Sequence, residues 1–575
     1  MKKLLFMLFL ALSQITASGQ TLAPNYKDVN NGNPISPCVF CADPTALEYK
    51  GRLYLYGTND HQQYIVNKKK GSNGYGNIKS LVVFSTDDMV NWTFHGTIDV
   101  SKVCTWAGQS WAPSAVWRTA ANGTDEFFMF FANGGGSVGV MKANTPIGPW
   151  RSPLSSPMIQ HGTPGVDPCN WVFDPGAVID ENGTGWIAFG GGDPLSSGSK
   201  LMPGNSRIAK LKPSLTAIDG SAVNLPAPYL FEASELNIMD GRFVYTYNTS
   251  WSDRNDWNSY AKRNGQPAPS SCSMCYMVTD TPLDPDSWVY RGEYVPNEGS
   301  FGGLGADWGN NHTHLQKFQG NYYLFYHGNV LEKTMKKSGA MNSDASGYRS
   351  LCVNKLTVDE STQTLNKVNM TKSGAASIKY LNPYELQQAE TMATCGGVSY
   401  EDFSNISKVP NTNSLGNEAS RNMMVKMAAG SWTVVRKVDF GEEGATSFTI
   451  RAKGTGTLEI RLEGKATQAA ATVEFSSTSF EDHTIDVNPA KFKGLKTNLF
   501  FVFTASEGVM FDSWQFGSVA TSVEKTELYT NAKDKSRRTF DISGRRVNQN
   551  SPFVIEQFTD EQGVRHSRKV LKSNR

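Results

Sequence analysis

From Pro34 to about Leu381 the apolar positions fall into short runs closed off by Gly, Asn, Asp or Pro. LYLYG, SLVVFST, EFFMFFANG, GWIAFGG, RFVYTYN, CYMVTD, YYLFYHG and SLCVNKLTV each have the length of one strand and are rich in β-branched and aromatic residues. The runs are organised at a longer period. Five times an anchor residue opens an apolar run, a Gly-containing turn follows, and an aromatic strand comes next. The anchors are Asp43, Trp111, Asp174, Glu232 and His312, separated by 68, 63, 58 and 80 residues. That spacing is too long for a helical solenoid repeat and suits a four-stranded blade with its loops. The pattern predicts an all-β, five-unit radial β-propeller, whose sheets bury their faces on their neighbours. Equivalent positions of the blades then converge on one axis, and three of the five anchors are carboxylates.

Near Leu381 the texture changes. Short alternating strands in SWTVVRKVDFG, TSFTIRAKG, GTLEIRLEG, NLFFVFTA and VMFDSWQFG predict a compact β-sandwich separate from the propeller. Beyond Gly517 the chain is polar with a basic end, too little to hold a core. The predicted organisation is a signal peptide over 1–19, a propeller over 34–381, a sandwich over 382–517 and a polar tail over 518–575. The leader reading rests on MKKLLFMLFLALSQITASGQ, two lysines before a short apolar stretch and small residues up to Gly19. The first cysteine is Cys38, which argues against a lipid anchor, and no later run approaches the ~20 apolar residues of a membrane span. The mature chain is expected to be soluble, exported and not inserted in a membrane.

At 575 residues the chain exceeds one core. A net charge of +2, with no basic patch ahead of the tail, gives no support to nucleic-acid binding. Eight cysteines in an exported chain permit disulfides. Cys38/Cys41 and Cys272/Cys275 have zinc-like spacing, but the pairs are far apart and outside any small ribbon, so disulfides or buried thiols are expected instead.

Carboxylates gathered at an axis among aromatic residues suit cleavage of a glycosidic bond. An inverting hydrolase needs an acid for the leaving oxygen and a base for the attacking water, ~6.5–9.5 Å apart. A third carboxylate raises the acid's pKa by like charge. Asp43 and Asp174 each precede Pro, which fixes φ and suits the first residue of a strand. A lone Asp-Pro is usually a turn; two at equivalent positions, with Glu232 at a third, favour a site. Glu235, three residues past Glu232, is expected on the opposite face. Asp167 is assigned to the preceding loop and Asp180 to an outer turn. His312 and His314 share a face in an extended strand, and His312 is the candidate for substrate contact. Arg349, in GYRSLCVNKL, is placed to orient a carboxylate or bind a sugar hydroxyl, with a structural ion pair the alternative. Trp111 and Trp171 are candidate sugar platforms.

ADPTALEYKGRLYLYGTND, STDDMVNW, SWAPSAV, TPGVDPCNWVFDPGAV, FEASEL, GNNHTHLQKFQGNYYLFYH and GYRSLCVNKL together resemble glycoside hydrolase family 43, nearest to the arabinoxylan arabinofuranohydrolases with a C-terminal carbohydrate-binding module. The resemblance implies a five-bladed propeller and an inverting mechanism, with Asp43 as general base, Asp174 as pKa modulator and Glu232 as general acid. It implies a histidine near the axis, His312, often associated with calcium or its waters, and no cofactor for the chemistry. Tyr384 to Gly517 resembles carbohydrate-binding module family 6 through QAETM and VMFDSWQF; Glu390 and Asp512 sit where such modules place structural calcium ligands. TFDISGRRV in the tail resembles a C-terminal sorting segment of exported proteins. Departures are Ser234 where many members have Pro, the CVFC approach to Asp43, and the Ser250–Ser271 stretch. The expected activity is that of an α-L-arabinofuranosidase removing side chains from a plant cell-wall polysaccharide, arabinoxylan or arabinan. A β-xylosidase or endo-arabinanase on the same scaffold, and a non-catalytic glycan-binding protein, are the alternatives.

Overall fold

The computed structural model describes residues 21–195, 198–297, 309–368, 370–400, 425–518, 537–540, 553–559 and 565–571. The predicted signal peptide lies outside the described residues. So does most of the tail, including much of the segment read as a sorting signal.

Five antiparallel sheets form the propeller. Blade 1 pairs β1 (Ala42–Tyr49), β2 (Arg52–Thr58), β3 (Ser80–Thr86) and β4 (Trp92–Asp99). Blade 2 pairs β5 (Trp111–Thr119), β6 (Asp125–Ala132), β7 (Ser137–Ala143) and β8 (Ile159–Gln160). Blade 3 pairs β9 (Gly176–Ile179), β10 (Gly185–Gly190), β11 (Ser206–Lys210) and β12 (Val223–Asn224). Blade 4 pairs β13 (Leu230–Met239), β14 (Arg242–Thr249), β15 (Met274–Thr279) and β16 (Val289–Val295). Blade 5 has β17 (Thr313–Phe318), β18 (Asn321–Gly328) and β19 (Ser350–Leu356). The first strands β1, β5, β9, β13 and β17 touch one another in a closed ring, so they line the axis.

Burial follows from blade stacking. Leu47, Tyr54 and Leu81 of blade 1 meet Phe127 and Met129 of blade 2. Phe128, Phe130 and Val138 meet Ile187 and Phe189. Ile208 meets Tyr245 and Met277, and Val244 and Met274 meet Leu324 and Cys352. Each such side chain contributes ~1.5–3 kcal/mol when fully buried, and no blade could bury both faces alone. The ring closes through the N-terminal segment. Ile35 N–H donates to Leu351 O at 2.7 Å and Cys41 N–H to Arg349 O at 2.9 Å, which brings the start of β1 beside blade 5.

The strand starts share an unusual backbone. Asp43, Ala112, Asp174 and Ala233 have φ of 46°, 36°, 47° and 63°, the left-handed region. Such residues cost about 1–3 kcal/mol and persist where the surroundings over-determine them. Side-chain latches between neighbouring inner strands do this here. Thr45 Oγ1 accepts from Ala115 N–H at 3.1 Å, Ser114 Oγ from Ala177 N–H at 2.9 Å and Asp174 Oδ2 from Ala233 N–H at 2.9 Å. The true equivalents are therefore Asp43, Ala112, Asp174 and Ala233. Trp111 and Glu232 stand one residue earlier, level with Phe173, so the anchor alignment read from the sequence slips by one in blades 2 and 4.

The sandwich is built on the long strands Ala445–Leu462, Ala469–Asp486 and Leu495–Ser518, around Phe448, Phe501, Phe511, Trp514 and Phe516. It is not separate from the propeller, contrary to the sequence-based expectation. Thr391–Met392 adds a fifth strand to blade 1 beside β4. One apolar cluster joins Leu53, Phe84 and Phe325 to Val435, Phe448 and Phe501. Asn91 fastens the seam by donating to Arg436 O and accepting from Arg436 N–H, both at 2.8 Å. None of the eight cysteines is in a disulfide, and Cys38 of the propeller is hydrogen-bonded to Cys395 across this seam. In the tail, Arg537–Phe540, Phe553–Thr559 and Arg565–Leu571 pair as a small antiparallel sheet.

Candidate active site

A cavity of about 240 Å³ opens at the end of the axis where the inner strands begin. It is lined by Asp43, Asp174 and Glu232, by Asn310, His312 and Arg349, and by Tyr75, Trp111, Trp171, Phe173 and Phe231. The volume lies below the ~300–1,000 Å³ of sites for drug-sized ligands, which suits one sugar unit rather than a length of chain. All seven residues proposed from the sequence for the catalytic and substrate-binding roles line it.

Asp43 is held from one side. Arg349 NH1 donates to its Oδ1 at 2.8 Å, His327 Nδ1 lies 3.3 Å and His312 Nδ1 3.6 Å from the same oxygen. Oδ2 takes none of these contacts. His327 Nε2 lies 2.6 Å from Asn310 O, so it must carry the proton, because a carbonyl can only accept. Its Nδ1 then accepts the Asp43 backbone N–H at 3.1 Å, and the ring is neutral. Burial alone would raise the Asp43 pKa, but the Arg349 guanidinium holds it well below the usual carboxylate range. His312 is itself pushed down to about 4 by burial, so it too is neutral.

The opposite wall has the reverse balance. Glu232 is raised to about 8 by burial and then by the charges of Asp174 and Asp43. Asp174 is raised to about 7 by burial and by Asp43. Among the described residues no cation touches either carboxylate as Arg349 touches Asp43, and Phe173 and Phe231 stand beside them. Asp174 acts on Glu232 through structure as well as charge, since it receives the N–H of Ala233, the next residue. Glu232 remains partly open to the cavity mouth, so a sugar filling the cavity would push it further up. One carboxylate ionised and one protonated at neutral pH is the division of labour acid–base cleavage requires.

Glu235 differs from expectation. Bulges around Glu232 leave Glu232 opposite Asn248 and Glu235 opposite Thr246 on β14. The partners are two apart although the glutamates are three apart, so both lie on the same face of the strand. Glu235 lies away from the cavity, 2.9 Å from His314 Nδ1, and His314 Nε2 lies 3.1 Å from Ala46 O. That buried pair ties β13, β17 and β1 together. Asp167 binds His161 in a loop and Asp180 caps an outer turn, as expected.

Sequence reasoning missed Tyr75, Phe173, Phe231, Asn310 and His327. Phe173 and Phe231 immediately precede Asp174 and Glu232, a signal that was available. Tyr75 had none: it sits on an irregular loop at φ 59°, its carbonyl accepts Trp111 Nε1 at 3.2 Å, and its ring lies 4.9 Å from the Arg349 guanidinium.

In the sandwich, Glu390 is fully buried and, among the described residues, neither carboxylate oxygen has a hydrogen-bond partner. Burial and then Asp512 push its pKa well above the usual range. An orphaned buried carboxylate fits a cation ligand. Asp512 is more committed: Ser513 donates to it at 3.0 Å and Arg451 lies 3.4 Å away. Among the described residues no three His, Cys, Asp or Glu side chains gather to hold a metal ion, so the remaining donors would be backbone oxygens.

Comparison with known proteins adds an independent line. The model of glycosyl hydrolases family 43 matches residues 31–361, and that of carbohydrate binding module family 6 matches 388–518. The chain is 33% identical over 530 residues to an arabinoxylan arabinofuranohydrolase of Paenibacillus polymyxa, covering 88% of this chain and 78% of that protein. It is 33% identical over 532 residues to an arabinoxylan arabinofuranohydrolase of Bacillus subtilis, covering 89% and 98%. The crystal structure of a family 43 arabinoxylan arabinofuranohydrolase from Bacillus subtilis in complex with cellotetraose superposes with a TM-score of 0.75 at 32% identity, over 87% of this chain and 99% of that one.

Proposed function

The chain belongs to glycosyl hydrolases family 43, and from that premise we propose that it removes α-L-arabinofuranosyl side chains from arabinoxylan by inverting hydrolysis. The observation that carries the chemistry is the unequal surroundings of Asp43, bonded to the Arg349 guanidinium, and of Glu232, set among Asp174, Phe173 and Phe231, in a cavity sized for one sugar. Glu232, protonated, gives its proton to the glycosidic oxygen as the C1–O bond breaks. Asp43, ionised and with Oδ2 unengaged by Arg349 or the histidines, takes a proton from the water whose oxygen bonds C1 from the other face. Asp174 keeps Glu232 protonated and fixes the strand that carries it. His312 presents a polar group to the sugar, Arg349 orients Asp43 through its NH1, and Trp111 and Trp171 offer apolar faces.

The substrate assignment is supported by the two relatives named for arabinoxylan and by the form of the cavity. Trp171, Phe231 and Trp251 make a row of edge-to-face contacts at 5.6 and 4.9 Å, and Trp251 is 39% exposed. A side chain that enters the cavity leaves the polymer backbone outside, against this row. A polymer substrate also suits export through the leader ending near Gly19, and a sandwich module that binds polysaccharide. Calcium held by Glu390 would neutralise a buried charge and brace the module; it supplies nothing to the reaction.

Incubation with arabinoxylan, xylooligosaccharides and linear arabinan, followed by identification of the released sugars, tests the assignment. Free arabinose from arabinoxylan is the expected product. Xylose from xylooligosaccharides, or oligomers from arabinan, would move the activity to the rival substrates, and no release at all would indicate a glycan-binding protein.

A further inference from the structure

Arg349 is anchored by a second carboxylate outside the cavity. Asp60 is the first residue of the short helix α1 (Asp60–Val66), just after β2. It is completely buried. Its Oδ2 accepts from both the Arg349 backbone N–H and Nε, and its Oδ1 from NH2, each at 2.9 Å. Only NH1 is left for the cavity, where it reaches Asp43 Oδ1 at 2.8 Å and Asn310 Oδ1 at 3.0 Å. We propose that Asp60 is a positioning residue for the hydrolytic reaction, the principal counterion of Arg349, which aims one guanidinium nitrogen at Asp43. This rests on the assignment of Asp43 as the base.

The geometry gives the reason. An Arg–carboxylate fork is the strongest directional pairing available to these side chains. If Asp43 were the only anion beside Arg349, the fork would close on Asp43 and engage both its oxygens. Asp60 occupies the fork instead and adds a third bond through the backbone, so Asp43 receives a single bond on Oδ1. Oδ2 keeps its lone pairs for the water proton. Asp60 also shares the guanidinium charge, so Asp43 is held ionised without being fully neutralised. The role is therefore in turnover and not in sugar affinity, because Asp60 touches neither the cavity nor its contents.

The test compares Asp60→Asn with the native enzyme on 4-nitrophenyl α-L-arabinofuranoside, whose leaving group departs without an acid, and on arabinoxylan. The expected result is a fall in kcat of about a hundredfold on both, the size of effect a misplaced catalytic group produces, with KM changed less than about threefold. Adding Asp60→Asn to Arg349→Gln should lower kcat by less than about twofold, because Asp60 acts through Arg349. That pair removes both buried charges together and serves if Asp60→Asn alone does not fold. A folded Asp60→Asn with native kcat, a raised KM at unchanged kcat, or a further tenfold loss in the Arg349→Gln background would each overturn the proposal. Asp43→Ala separates the two levels. If it is inactive while Asp60→Asn is normal, only the Asp60 role fails; if it is active, the base assignment fails.

Discussion

Two sides of one cavity carry nearly the same main-chain geometry and opposite chemistry. Asp43 and Asp174 both sit before a proline, both stand at the entry to an inner strand, and both have φ close to 46°. Yet Asp43 is held far below the carboxylate range and Asp174 is raised to about 7. The difference lies in what the neighbouring blade presents. The seam between blades 5 and 1 brings Arg349, His327 and His312 to Asp43. Among the described residues the seam between blades 3 and 4 brings Asp174 a backbone N–H, two phenylalanines and another carboxylate, with no cation in contact. A repeated fold supplies equivalent positions, and the seams decide which becomes an acid and which a base.

The largest expected effect comes from removing either end of that contrast. Asp43→Ala and Glu232→Ala should each lower kcat/KM on arabinoxylan by about 10³-fold or more while thermal unfolding stays cooperative, the range a general acid or base supplies. Near-native turnover by either purified variant would break the comparison. A smaller effect, about tenfold, is expected for Asp174→Asn, with a signature in the pH profile. The Asp174 charge helps raise Glu232, so removing it lets Glu232 ionise earlier. The alkaline limb, expected near about 8 in the native enzyme, should move to lower pH; an unmoved limb would detach Asp174 from the acid.

The smallest effect is on stability, and its sign follows from the same shift. Glu232 keeps its proton in the fold up to about 8, against an ordinary value of 4.5. In the unfolded chain it ionises above that ordinary value, so its contribution is intact at pH 4 and is lost progressively as pH rises toward 8. Glu232→Gln should therefore melt higher than the native protein at pH 8 and close to it at pH 4. Equal melting temperatures at both pH values would show that the wall around Glu232 does not hold the proton.

The five strand–turn–strand units, the propeller they make and the three carboxylates were legible because each blade repeats the same burial problem. The bulges were not. They put Glu232 one position ahead of the Asp43 frame and brought Glu235 onto the same face, against the period-of-two rule. Nothing in the residues of a single strand announces such a slip; it is set by the latch from Asp174 in the next blade. Tyr75 and His327 reach the site from a loop and from a second strand, so no anchor points to them. The sandwich was legible as a strand pattern. Its shared core with blades 1 and 5 was not, because Trp92 and Phe325 look like ordinary blade residues until Val435 and Phe501 are packed on the same cluster.

The assignment of acid to one wall and base to the other is tested most directly by leaving-group dependence. Glu232→Ala and Asp43→Ala are each measured on 4-nitrophenyl α-L-arabinofuranoside and on arabinoxylan. A loss for Glu232→Ala that is at least about tenfold smaller on the aryl substrate, whose departure needs no acid, together with an equal loss on both for Asp43→Ala, is the predicted result. Recovery by Asp43→Ala and none by Glu232→Ala would exchange the roles and contradict the account.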